Sequence, residues 1–159
     1  MSVYLPPFQA LLEEHRADVY RFLVATAGAS EADDAFQETW IAALRAYPKL
    51  RRGDNLRAWL FRIAQNKSVD AHRARGRRAV PVAAVPEGAS SGDVAVGGDE
   101  ELWERVRQLP AKQRTAVYCR SVLGMPYDEL AVLLESSEEA ARRNVHEGLK
   151  RLREELTDD

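Results

Sequence analysis

The chain lacks several features that would assign it to a common class of protein. It has one cysteine, Cys119, which excludes an internal disulfide and suits a reducing compartment. No apolar stretch approaches the ~20 residues that a membrane-spanning helix needs. No hydrophobic run follows a basic start, as it would in a secretory signal. These absences predict a cytoplasmic protein with no membrane insertion.

Sequence motifs for catalysis and metal binding are also missing. There is no glycine-rich phosphate loop, cysteine–histidine cluster or nucleophile motif. The three histidines, His15, His72 and His146, are far apart and have no metal-binding spacing. Asp34 and Glu38 share a helix face and could in principle ligate a divalent ion, but no histidine accompanies them. We therefore expect neither an enzyme nor a protein that needs a cofactor or metal.

The charges are strongly segregated along the chain, although the net charge is only −2. Residues 1–50 carry four basic and seven acidic groups, whereas residues 51–78 carry nine Lys or Arg and two Asp, a local charge of +7. Residues 79–104 have six acids and no base, and residues 105–159 have ten of each. This segregation predicts different partners for different surfaces.

The apolar spacing predicts an all-α protein made of two small helical domains joined by a flexible linker. Residues 79–98 contain two prolines and four glycines and show no strand-like alternation. We expect an N-terminal helical domain over residues 1–78, a flexible acidic linker over 79–98 and a C-terminal helical domain over 99–159. The cysteine lies on an apolar helix face, which favours a packed thiol over a redox sensor.

Local signals suggest where individual helices begin and end. Ser30 with Asp33 resembles a capping pair that opens the second helix, on which Leu44 is expected to face inward. Ser136 with Glu139 resembles a second capping box.

The third helix combines an apolar stripe with a high density of cations. Its apolar positions recur at i, i+3, i+4, i+7 and i+8: Leu56, Trp59, Leu60, Ile63 and Ala64. Its second half is rich in Arg. A basic helix that is anchored by its own apolar stripe is suited to presenting charge to nucleic-acid phosphates.

The C-terminal domain shows the pattern of a helix-turn-helix. A short helix over Tyr127–Leu134 is followed by a three-residue break and a longer helix with Ala141, Val145 and Leu152 facing inward. Leu149 is expected on the same inward face. The opposite face, which would enter a DNA major groove, carries Glu139, Arg142, Arg143, His146, Lys150 and Arg153. The alternative is that these charges form an ordinary solvated helix face.

Three motifs, in order, resemble those of bacterial RNA polymerase sigma factors of the extracytoplasmic-function type. Residues 32–40 resemble the acidic helix of sigma region two. Residues 59–73 resemble a later segment of the same region, and the match is carried by Trp59, Leu60, Arg62, Ala64, Asn66, Asp70 and Arg73. Residues 109–114 together with 124–131 resemble region four. The resemblance spans almost the whole chain. It implies a subunit that directs core polymerase to promoters by recognising −35 and −10 elements and melting the latter.

The resemblance also implies roles for particular residues. The stripe Asp34, Gln37, Glu38 and Ile41 is expected to dock on the clamp coiled coil of the largest polymerase subunit, and the flap is expected to be a further contact. The alternative for the stripe is a solvated helix face. The residues expected at the −10 element, as base readers or phosphate contacts, are Arg62, Asn66, Lys67, Arg73, Arg75, Arg77 and Arg78, with Val69 on the same stripe.

Some expectations within this scheme remain open. A pocket for an unstacked base is expected near Tyr47–Asn55, with Trp59 and Phe61 as possible stacking platforms, although core packing is favoured for Trp59. Asp70 is expected to tether Lys67 or Arg73. The residues of the last helix that are expected to face the −35 element are Glu139, Arg142, Arg143, His146 and Lys150.

Departures from the family pattern occur in the C-terminal domain. Glu135 stands where Gly is usual, Pro126 where Ser or Thr is usual, and Glu147 where a base is common. Most relatives are controlled by an anti-sigma factor, which is an expected partner here. Two other functions remain open from the sequence: a stand-alone helix-turn-helix regulator, and a helical module that titrates a partner.

Overall fold

The computed structural model describes residues 5–51, 55–77 and 100–157, without the side chains of Arg77 and Thr157. Within these ranges the protein is all α-helical, as predicted, and contains no strand. The predicted linker over 79–98 and the predicted DNA contact Arg78 lie outside the described residues. Among the described helices, none combines the length and the hydropathy that spanning a bilayer requires.

Seven α-helices and one 3-10 turn make up the described structure. The N-terminal half contains α1 (Phe8–Ala27), α2 (Ala29–Ala46), the 3-10 turn Tyr47–Lys49 and α3 (Leu56–Arg77). The C-terminal half contains α4 (Glu100–Arg107), α5 (Ala111–Ser121), α6 (Tyr127–Leu134) and α7 (Glu138–Thr157).

The hairpin between α1 and α2 depends on one glycine. Gly28 joins the helices with a φ of 96°, a conformation that side chains with a Cβ disfavour. A Cβ at this position would also lie 3.3 Å from Nη1 of Arg75 on α3. The predicted Ser30–Asp33 capping pair does not form, because Gly28 is the N-cap and no side chain caps α2. Asp33 instead accepts a hydrogen bond of 2.7 Å from the Tyr20 hydroxyl on α1.

The turn between α6 and α7 is closed by backbone hydrogen bonds around Glu135. Glu135 has φ 54° and ψ 48°, in the left-handed region. The Ser136 N–H donates to the Ala131 carbonyl at 3.0 Å and the Glu135 N–H to Val132 at 3.2 Å, which is a Schellman motif. The predicted cap by Ser136 is wrong by one residue, since the Oγ of Ser137 accepts the bond from the Ala140 N–H at 3.0 Å.

Gly148 permits α7 to pack closely against α5. An added Cβ would lie 2.5 Å from Cγ2 of Val117 and 3.4 Å from the Gln113 carbonyl oxygen.

We therefore expect Gly148→Ala to lower the free energy of unfolding by about 1–3 kcal/mol through overpacking. Gly76→Ala on α3 is the matched control, because nothing lies within 4 Å of its Cβ and it should gain up to about 1 kcal/mol of helix propensity. Urea unfolding of both variants would measure this, and equal stability would contradict the close packing.

The two halves share one hydrophobic core. Phe22 on α1 is fully buried and makes edge-to-face contacts with Phe61 on α3 and with Tyr118 on α5, each with ring centroids 5.4 Å apart. Buried residues of α1, α3, α5 and α6 belong to the same cluster. The sequence predicted two domains but gave no indication that they pack on each other.

Candidate functional site

The residues of the predicted polymerase contact lie on the solvent side of α2. Asp34, Gln37, Glu38 and Ile41, here called the acidic stripe, are all exposed, and Ile41 retains 49% of its surface. The opposite side of α2 is buried through Ala32, Ala35, Thr39 and Ala43. Neither carboxylate of the stripe forms an ion pair with any described residue. The stripe therefore presents uncompensated negative charge beside an apolar side chain.

A groove borders the acidic stripe where α1 meets α2. It has a volume of about 420 Å³ and is lined by Leu12, Arg16, Phe36, Gln37, Trp40 and Ile41. The Nε1 of Trp40 is buried there without a hydrogen-bond partner among the described residues. Leu44, predicted to face inward, is 56% exposed on the same helix, because it lies at the side of the buried face that Ala43 and Tyr47 continue. The acidic stripe therefore adjoins apolar surface. Part of this surface is formed by Leu44, which was predicted to lie in the core.

The cations of α3 lie on a mostly open surface. Asn66, Arg73 and Arg75 are exposed, whereas Arg62 and Lys67 are half-buried. We call these five residues the α3 basic face. Arg77 lies in the last turn of α3, but its side chain is outside the described set. The predicted tether of Asp70 is not observed: Asp70 is exposed, and no ion pair joins it to Lys67 or Arg73 in the described part of α3.

A pocket of about 420 Å³ lies at the start of α3, near the predicted base-binding loop. Its lining is Leu50, Arg51, Asn55, Leu56, Trp59, Arg62 and Val132. Trp59 is half-buried and stacks obliquely on Tyr47 with centroids 6.0 Å apart, so that it belongs to both the core margin and the pocket. Phe61 is not available for stacking on a base, because it is fully buried against Phe22. Val132 is contributed by α6, from the other half of the chain.

The predicted DNA-reading face of α7 is solvent-exposed. Its members Glu139, Arg142, Arg143, His146 and Lys150, here called the α7 reading face, are all exposed, as is Arg153. The side of α7 that packs inward carries Ala141, Val145, Gly148 and Leu152. Leu149, predicted to face inward, is 37% exposed because it lies at the margin of an apolar groove between α4, α5 and α7.

Arg142 has a structural role that the sequence analysis missed. The Tyr127 ring of α6 contacts two guanidinium groups, with Cζ of Arg120 at 4.2 Å and Cζ of Arg142 at 4.6 Å from its centroid. Arg142 also approaches the Glu138 carboxylate at 4.0 Å. These cation–π contacts link α6 to Arg120 of α5 and to Arg142 of α7. Among its neighbours, Arg143 forms no ion pair with a described residue and points freely to solvent.

Glu147, the acid that departs from the family pattern, lies at the edge of the α7 reading face. Its carboxylate accepts a 3.4 Å hydrogen bond from Nε2 of Gln113 on α5. The negative charge is therefore directed toward α5 and away from the centre of the surface defined by Arg143 and His146.

Ionisable groups near the junction of the two halves have shifted pKa values. The hydrogen bond to Glu129 raises the pKa of Arg57. Burial, followed by repulsion from Arg114 and Arg75, lowers the pKa of His72. Burial also raises the pKa of the Cys119 thiol, which makes it a poor nucleophile. The described residues contain no cluster of metal-ligating side chains.

Comparison with known proteins identifies the family of the chain. The model of sigma-70 region 2 matches residues 11–78, and a model of sigma-70 region 4 matches residues 99–152. The ECF RNA polymerase sigma factor SigD of Mycobacterium tuberculosis is 38% identical, over 92% of this chain and 75% of SigD. The RNA polymerase sigma factor CarQ of Myxococcus xanthus is 29% identical, over 94% of this chain and 88% of CarQ.

Solved structures show the same fold. The sigma factor RpoE, in complex with the anti-sigma factor NepR from Bartonella quintana, has a TM-score of 0.71 and 23% identity, over 96% of this chain and 98% of RpoE. CnrH, in complex with the cytosolic domain of CnrY, has a TM-score of 0.68 and 23% identity, over 96% of this chain and 88% of CnrH. Together with the two region models, which cover most of the sequence, these matches establish that the chain belongs to the extracytoplasmic-function sigma factors of bacterial RNA polymerase.

Proposed function

We propose that three separate surfaces of this sigma factor divide the work of promoter recognition. The acidic stripe of α2 binds the clamp coiled coil of the largest polymerase subunit. The α3 basic face, with Arg77 and Arg78, binds the −10 element, and the α7 reading face binds the −35 element. The observation that carries the proposal is that exposed acids lie on α2, whereas exposed cations lie on α3 and α7.

Charge and exposure support the polymerase-binding role of α2. Asp34 and Glu38 are unpaired within the described structure and lie next to exposed Ile41. An apolar patch with charge at its rim is typical of a protein–protein interface, where the charges mainly accelerate association. The partner surface should therefore be basic at its rim and apolar at its centre. A stand-alone DNA-binding regulator would have no use for such a surface.

The start of α3 supports a role in capturing an unstacked base. Trp59 offers part of its ring to the pocket of about 420 Å³, beside Arg51 and Arg62. An aromatic ring flanked by cations is a common platform for single-stranded DNA. Phosphates of the same strand would be attracted by the exposed Arg73 and Arg75 further along the helix.

Site-specific photocrosslinking tests the assignment of the two DNA-binding surfaces. A photoreactive amino acid at Asn66 on α3, or at His146 on α7, would be incorporated into the polymerase–promoter complex. The α7 probe is expected to crosslink about 25 base pairs, or about 85 Å, upstream of the α3 probe. Crosslinks at the same position, or in the reverse order, would contradict the assignment.

Arg143→Ala measures how the α7 reading face recognises DNA. If Arg143 contacts a base, its loss should cost about 1–3 kcal/mol at one −35 position and relax specificity there. If it contacts only phosphate, binding should weaken uniformly across sequences and the salt slope should fall by about one. Affinity measured on a set of −35 variants at two salt concentrations separates the two results. No change in either measurement would exclude Arg143 from the interface.

Two further aspects of the assignment concern the cellular setting. The RpoE and CnrH structures were solved with an anti-sigma factor and with the cytosolic domain of CnrY, and we assign a similar inhibitory partner to this chain. The protein would act in the cytoplasm, as a specificity subunit without catalytic activity of its own. Residues 1–78 and 99–159 would be the functional domains, connected by the 79–98 linker.

A further inference from the structure

A tyrosine at the start of α6 restrains one of the two adjacent arginines of the α7 reading face. Tyr127 is the first residue of α6, and its ring contacts the guanidinium group of Arg142 on α7. We propose that Tyr127 is a positioning residue for −35 recognition, and that Arg142, held by its ring, reads a guanine. This inference deepens the proposed function of the α7 reading face and rests on it.

The place of Arg142 on α7 suits contact with a base. A recognition helix enters the major groove with its N-terminal residues toward the base edges. Arg142 lies in the second turn of α7, which begins at Glu138, and its side chain is 58% exposed. Its neighbour Ala141 is fully buried and faces the domain interior. Arg142 is therefore placed to reach a base edge.

The Tyr127 ring restricts the Arg142 side chain without occupying its hydrogen-bond donors. Cζ of Arg142 lies over the ring, 4.6 Å from the centroid. A cation–π contact is an electrostatic attraction to the ring face and needs no hydrogen-bond acceptor. In the described part of the chain, the ion pairs of Arg142 are limited to the approach of Glu138 at 4.0 Å. The donors that a bidentate contact with O6 and N7 of guanine requires are thus left for DNA.

The ring itself is held in place by a second arginine and by the core. Cζ of Arg120 on α5 lies 4.2 Å from the same ring centroid. Nη1 of Arg120 donates a hydrogen bond of 3.1 Å to the carbonyl oxygen of Met125, which is fully buried just before α6. Tyr127 is half-buried and packs against the hydrophobic core. The guanidinium group of Arg142 therefore rests on a surface that belongs to the folded domain.

The restraint on Arg142 should appear as base preference. Ordering a long, rotamer-rich side chain on binding lowers affinity by about two- to tenfold. Because the ring already limits the conformations of Arg142 in the free chain, this loss is smaller for Arg142 than for an unrestrained arginine. A ring at position 127 should therefore strengthen the preference at the one base pair that Arg142 contacts and leave the other positions unchanged.

Selection of DNA by reconstituted holoenzyme tests the proposal. Core polymerase is combined with the wild type, Tyr127→Leu, Tyr127→Phe or Arg142→Ala, and each holoenzyme selects from random duplexes long enough to hold both promoter elements. Sequencing of the bound fraction gives the relative affinity for each base at each position. Leucine keeps an apolar side chain at position 127 but has no ring, whereas phenylalanine keeps the ring. Circular dichroism would confirm that the variants remain helical.

The expected result is a change at a single −35 position. Arg142→Ala should lose the preference for guanine there. Tyr127→Leu should lower the same preference by about two- to tenfold, and Tyr127→Phe should retain it. In the Arg142→Ala background, Tyr127→Leu should have no further effect, because the two residues act as one unit. Glu138→Gln is the matched control, since it removes the other contact of Arg142 but keeps the ring, and it should keep the preference.

A graded series tests the electrostatic contact without a large change of shape. Phenylalanine that carries one, two or three ring fluorines has progressively less negative charge on its face, which weakens a cation–π contact. With these residues at position 127, the preference for guanine should fall stepwise. The series also keeps the test decisive if Tyr127→Leu does not fold.

The opposing results separate a failure of this proposal from a failure of the proposed function. The positioning role is overturned by a uniform loss of affinity for Tyr127→Leu, by an equal loss in the Arg142→Ala background, or by a constant preference along the fluorinated series. A −35 motif that Arg142→Ala leaves unchanged would overturn the proposal while the role of α7 survives. If the wild-type holoenzyme selects a −10 motif without any −35 motif, the role of α7 fails as well.

Discussion

Replacing Asp34 and Glu38 with lysine should abolish binding to core polymerase while leaving the fold intact. Both residues are exposed and form no ion pair with a described residue, so their reversal removes no internal contact. The reversal changes the local charge by four units and places two positive charges against the basic partner surface, and like charges across an interface cost several kcal/mol. Co-purification with core polymerase and the thermal midpoint of the free variant are the two measurements.

A matched variant controls for the change in net charge. Asp128→Lys with Glu138→Lys alters the charge by the same amount on exposed residues of α6 and α7, away from the acidic stripe. It should still co-purify with the polymerase. Full binding by the α2 variant would refute the assignment of the acidic stripe.

Phe22→Ala should strongly destabilise the protein. The ring is fully buried and contacts Phe61 in its own half and Tyr118 in the other. Removal of a buried Phe typically costs about 3–5 kcal/mol. Because the cavity opens at the junction, the variant should also expand and unfold over a broader range of denaturant.

Chemical denaturation followed by circular dichroism measures the effect. Leu44→Ala is a suitable control, because Leu44 is 56% exposed and its truncation should change stability by less than about 0.5 kcal/mol. A loss of less than about 1 kcal/mol for Phe22→Ala would mean that the ring is not the centre of a shared core.

The helices and their inward faces could be predicted because their signals are local. Apolar spacing at i, i+3 and i+4 located α3, and the break at 135–137 located the turn before α7. Helix caps were less predictable. Ser30 and Ser136 both had a suitable acid three residues later, but Gly28 and Ser137 supplied the actual helix starts. A capping pattern indicates a helix terminus without fixing the residue.

The packing between the halves had no local signal in the sequence. Arg57 and Glu129 are 72 residues apart, and neither is unusual for an exposed helix position. Glu135 was recognised as a departure from the family pattern, but its partner Arg62 was assigned only to DNA. The exposure of Leu44 and Leu149 has a similar origin. Periodicity identifies the apolar face of a helix, but it does not show how far the neighbouring helix extends over that face.

Promoter-directed transcription with purified components tests the central claim most directly. The chain would be mixed with core polymerase and a library of genomic fragments, and transcripts would be mapped after a heparin challenge. We expect heparin-resistant initiation at a defined set of promoters that requires the chain and is lost with Asp34→Lys and Glu38→Lys. Transcripts identical with and without the chain, across a range of salt concentrations, would contradict the assignment of this protein as a functional sigma factor.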